Sequence, residues 1–113
     1  MTEAIIDKST FDGLTELVGD DFIGELVETF FEEAPGLLDE MGRALEDGDA
    51  EAFRRSAHSL KSNGQSFGAT RLAALARELE YLGRDDRLDE AGPKLLQLQA
   101  SYEETAEALR VLI

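Results

Sequence analysis

The chain has 113 residues, 42% of them hydrophobic, with two prolines and no cysteine. That is the length of one domain, residues 1–113, with one core, and it excludes disorder, disulfide scaffolds and cysteine-based metal sites. A net charge of −14 speaks against nucleic acid and anionic membrane surfaces as partners, because both require a basic face.

No apolar run approaches the ~20 residues needed to span a bilayer. The opening "MTEAIIDKST" has neither a basic start nor a long apolar stretch, so it is not a secretory signal. A soluble cytoplasmic protein is the expectation, and the initiator Met favours a free-standing one. Ala, Leu, Glu and Arg abound, and all four favour helix, whereas the β-branched residues that favour sheet are sparse.

The first predicted element is a short helix from about Ser9 to Val18, with Ser9 and Asp12 as a capping box and Gly19 as its stop. Phe11, Leu14, Leu17 and Val18 form its apolar side. The second helix begins near Asp20, its expected N-cap, and ends at Gly48. Its apolar positions run from Phe22 to Leu45 at spacings of three and four, and the phase carries through Pro35. A helix broken there would reset the phase, so one long helix is predicted, with Pro35 the place for a kink.

The third helix starts at Asp49 and carries "AHSLKSNGQSFGA". The fourth follows Gly68, with Leu72, Leu75, Leu79 and Leu82 on its stripe, and ends near Gly83. A loop, "GRDDR", leads to the last helix, which runs to the C-terminus with Pro93 near its start. Its inward residues are predicted to be Ala91, Leu95, Leu98, Tyr102, Ala106, Leu109 and Leu112 or Ile113. The fold class is all-α: a monomeric antiparallel four-helix bundle with a short additional N-terminal helix across one end.

His58 is the only histidine. On a wheel of about 100° per residue, Phe53, Ala57, Leu60, Gly64 and Phe67 share the core sector, and His58 lies about 140° from its centre. Arg54, Lys61, Ser62 and Gln65 fall on the same polar side, and Arg54, Lys61 and Ser62 stand three or four residues from His58. A histidine satisfied within the core should lie nearer the stripe. An ordinary solvated histidine remains the plain alternative, and solvation is equally the plain reading of Arg54 and Lys61. Ser62 leaves room beside the imidazole, Gly64 on the stripe suits close helix approach, and Gly68 suits a helix end or close packing.

Imidazole can serve as metal ligand, general base or nucleophile. The di-iron bundle pattern needs Glu three residues before the histidine, and position 55 is Arg. No triad partner and no phosphate-binding glycine loop is present, so the chain shows no means of binding ATP and its standing as an enzyme is left open. An exposed nucleophile that accepts a phosphoryl group from a visiting protein fits better. Lys61 is placed to stabilise the added negative charge.

"HSLKSNGQSFGA" resembles the signature of the histidine-containing phosphotransfer (HPt) domain, His-x-Leu-Lys-Gly followed six residues later by a second small residue. His58, Leu60, Lys61 and Gly68 match directly, and Ser62 stands where Gly is most frequent. The long "DDFIGELVETFFEEAPGLLDEMGRALEDGD" segment and "ATRLAALARELE" also look like the family's layout. A dimeric histidine-kinase phosphoacceptor domain would have an acidic residue directly after the histidine and Pro five residues after it, where Ser59 and Asn63 stand.

The resemblance implies a phosphorelay intermediate in two-component signalling. His58 would accept a phosphoryl group, normally on Nε2, from a receiver-domain aspartate or a kinase and pass it to another receiver. Lys61 would support phosphate charge, while Ser62 and Gly68 would permit close approach; Arg54 and Gln65 are auxiliary candidates from the wheel. No cofactor is expected on this chain, and Mg²⁺ would belong to the receiver. The expected docking face is a partly apolar patch from the first and early second helices, rimmed by Arg54 and Lys61. Two alternatives are a helical module that modulates a receiver or kinase without being phosphorylated, and a metal-carrying bundle.

Overall fold

A computed structural model describes residues 4–113. Five α-helices follow in order: α1 (Lys8–Val18), α2 (Asp20–Asp47), α3 (Ala50–Phe67), α4 (Thr70–Arg84) and α5 (Gly92–Leu112), with a 3₁₀ turn at Leu88–Glu90 before α5. α2 to α5 form the bundle and α1 packs against α2 and α3. Gly48 and Gly68 end α2 and α3 in the left-handed conformation, a backbone state that glycine adopts without steric penalty.

α2 runs unbroken through Pro35, whose ring faces solvent. Asp49 caps α3 by accepting from the Ala52 N–H at 3.0 Å. The caps of the first two helices differ from expectation. Asp7 precedes α1 and bonds the Thr10 hydroxyl at 2.7 Å, so Ser9 lies inside the helix rather than at its cap. Gly19 holds the cap position of α2, which leaves Asp20 in the first turn, where its charge suits the helix dipole.

Val27, Phe30, Ala34, Met41, Phe53, Ala57, Leu60, Leu72, Leu79, Leu98 and Leu109 are almost wholly buried, which is the inward stripe of each helix. Some positions expected inward are not. Leu17, Phe22 and Ile113 are exposed, and Leu112 is marginally so. α1 covers only one end of the bundle, and α5 is buried as far as Leu109, beyond which Arg110 lies over the Phe31 ring at 5.1 Å and the last residues stay at the surface. No described helix is long and apolar enough to cross a membrane.

The α3–α4 pair positions the site. A Cβ on Gly64 would meet Ala73 at 3.3 Å, and one on Gly83 would meet the Arg54 Cα at 3.1 Å. The two helices therefore approach closely at both contacts. Ten residues separate Gly64 from Arg54 along α3, and ten separate Ala73 from Gly83 along α4. The antiparallel register is thus constant, and it sets Glu80 across from Ala57 and His58.

Candidate functional site

His58 projects from α3 with 53% of its side chain exposed. Its Nδ1 lies 2.8 Å from Glu80 Oε2. Lys61, one turn further along α3, places Nζ 2.7 Å from Glu80 Oε1. That contact has ion-pair distance without hydrogen-bond alignment, so the ammonium acts there as a point charge. Lys61 is accordingly drawn into the crevice, with only 19% of its side chain exposed, rather than extended into solvent as its place on the wheel suggested.

Glu80 is the only buried charged residue among those described, with 12% of its side chain exposed. Burial pushes its carboxyl pKa up, but the contacts with Lys61 and His58 outweigh burial and hold it below the ordinary carboxylate range. An ionised carboxylate can only accept hydrogen bonds. Nδ1 of His58 must therefore carry the hydrogen and donate it, and in the neutral ring this leaves Nε2 with its lone pair directed away from Glu80. The arrangement yields an exposed imidazole, held through Nδ1, with a cation one helical turn away.

Glu80 was not among the residues singled out in the sequence. Its signal was there: it stands four residues after Ala76 and three before Gly83, so a carboxylate interrupts the apolar stripe of α4. Small residues on both sides leave room for α3 to approach, and the carboxylate then needs partners.

The other expected residues are distributed differently. Arg54 forks onto Glu51 through Nε at 3.1 Å and Nη2 at 2.6 Å, and is not aimed at His58. Ser62 is exposed one turn beyond His58. Gln65 lines a groove with Thr10, Gly68, Ala73 and Arg77, about two turns from His58. Gly68 lies ten residues along α3, about 15 Å from His58. There it seats the N-terminal segment, accepting from the Asp7 N–H at 2.8 Å. Among the described residues no group of three or more His, Asp or Glu is placed to hold a metal.

The family model described as the Hpt domain matches residues 25–108, a span that includes His58, Lys61 and Glu80. The chain belongs to the Hpt domain family. A solved structure similar to this Hpt domain is that of histidine-containing phosphotransfer protein B (HptB) from Pseudomonas aeruginosa PAO1. It aligns with a TM-score of 0.90 at 28% identity, over 96% of this chain and 94% of that one. No curated protein matches the chain.

Proposed function

We propose that this chain is a histidine phosphotransfer protein of two-component phosphorelays, with His58 as the phosphoacceptor. The observation that carries the reading is the exposed imidazole whose Nδ1 is bonded to Glu80, so that Nε2 alone is free to react. Family membership and the likeness to HptB support it.

In the step proposed, the Nε2 lone pair attacks the phosphorus of a receiver's aspartyl phosphate. The new N–P bond forms as the P–O bond to the aspartate breaks, and the electron pair leaves on the receiver's carboxylate. The ring becomes positively charged, with its Nδ1–H held by Glu80. Lys61 offsets charge on the phosphoryl oxygens. Onward transfer is the same step reversed, with a second receiver's aspartate attacking phosphorus and neutral imidazole leaving. The chain works as a cytoplasmic monomer and needs no cofactor of its own, the Mg²⁺ being the receiver's. Leu17, Phe22 and the half-buried Leu14 and Leu26 supply an apolar docking surface at the α1 end.

Incubation with phosphorylated receiver domains tests this. The wild-type chain should take up acid-labile, alkali-stable phosphate, and His58→Gln should take up none. Equal labelling of the variant would refute the assignment. Receiver binding without labelling under any donor would identify a docking module instead.

A further inference from the structure

The charge of this acidic chain is unevenly placed. Six of its eleven Lys and Arg residues lie on α3 and α4, against three carboxylates there. α2 alone carries ten carboxylates and one cation, Arg43. The charge therefore favours approach of an acidic partner over α3 and α4, where His58 stands, rather than along the length of α2.

Within that face α4 carries a built ridge. Arg77 lies three residues before Glu80 and Arg84 four after, so both border it on one helix surface. Tyr81 sits between them. Arg77 Nε donates to the Tyr81 hydroxyl at 2.8 Å, and the Arg84 guanidinium lies 4.5 Å from the ring centroid. The α3–α4 register places Arg77 level with Leu60 and Lys61, beside the groove that also holds Gln65.

Five cations stand around His58, and they are not equivalent: Arg55, three residues before it, lines the α2 side with Glu40 and Asp47. Lys61 is paired with Glu80, Arg54 with Glu51 and Arg84 with Asp85. Among the described residues Arg77 has no carboxylate partner, and the group that holds it is a neutral phenol. Its fork is thus oriented by one bond from Nε, while its charge is not cancelled.

We propose that Arg77, oriented by Tyr81, is a docking residue that engages a carboxylate on the acidic face of the partner receiver domain. The inference rests on the phosphotransfer reading and extends the docking surface to α4, beyond the α1 end. Arg77 acts on encounter and affinity, not on the phosphoryl step.

The test uses the full chain and the receiver domains of the same genome. Affinity for each receiver is measured alongside single-turnover labelling, and phosphoramidate, a small donor that needs no docking face, is the second donor. Arg77→Ala should weaken receiver affinity about fivefold and flatten its salt dependence. The maximal transfer rate and phosphoramidate labelling should stay unchanged. Tyr81→Phe should give a smaller loss in the same direction, and Arg43→Ala, an equal charge change on α2, should give none. Unchanged affinity in Arg77→Ala, an equal loss in Arg43→Ala, or slowed phosphoramidate labelling would overturn the proposal. A wild-type chain that binds receivers but takes no label on His58 would refute the phosphotransfer reading, while the affinities would still decide the role of Arg77. Absence of binding to every receiver would overturn both.

Discussion

Replacing Glu80 with Gln removes one charge at almost constant shape and tests what the carboxylate contributes beyond holding the ring. Glu80 accepts from His58 Nδ1 at 2.8 Å and faces Lys61 at 2.7 Å in a crevice that leaves it 12% exposed. A hydrogen bond involving a charged group contributes about 1.5–3 kcal/mol. Much of that already exists in the resting state and cannot accelerate transfer. The useful part is the strengthening as the ring turns positive, and neutral hydrogen bonds have roughly half the strength of charged ones.

Loss of about 1 kcal/mol of that strengthening slows phosphoryl acceptance about fivefold. Glu80→Ala removes the acceptor as well, frees the tautomer, and should slow acceptance by about tenfold or more. Phosphoramidate labelling followed by quench gives the rates, and ¹⁵N shifts of the imidazole report the tautomer. Wild-type rates in both variants would refute the reasoning, as would a wild-type ring protonated on Nε2 in its neutral form.

Three further outcomes follow from the same geometry. Gly68→Ala should destabilise the fold by about 1–3 kcal/mol in urea denaturation, because φ is +79° and a Cβ would stand 2.7 Å from the Asp7 carbonyl oxygen; phosphoramidate labelling of the folded variant should be unchanged, His58 being remote. Phe53→Ala empties a fully buried position and should cost about 3–5 kcal/mol by the same measurement. The depressed Glu80 carboxyl stabilises the fold above the ordinary carboxylate pKa, because below it the unfolded chain takes up the proton first. The stability advantage of wild type over Glu80→Gln should therefore be full near neutral pH, shrink as pH falls below about 4.5, and vanish once the folded carboxyl is itself protonated. A difference independent of pH would show that the ionised carboxylate is not what stabilises.

The helices were legible because their apolar spacing and glycine stops agree. Gly19, Gly48 and Gly68 fall at observed ends, and the phase carried through Pro35 correctly foretold one helix. The exposure of His58 followed from the same geometry, since an angle on one helix needs no knowledge of its neighbours. What escaped depends on pairs of helices. Glu80 joins His58 only through the α3–α4 register, and 22 residues separate them in sequence. Arg54 looked available beside His58 but turns to Glu51. Leu17 and Phe22 continue an apolar pattern yet stay exposed, because periodicity tells which side faces inward and not how far a neighbour reaches.

The most direct measurement is heteronuclear NMR of the phosphorylated chain labelled with ¹⁵N at histidine, in which coupling to ³¹P identifies the bonded nitrogen. The account predicts phosphorus on Nε2 of His58, with Nδ1 still protonated towards Glu80. Phosphorus on Nδ1, or a stable label with no coupling to either imidazole nitrogen, would contradict it.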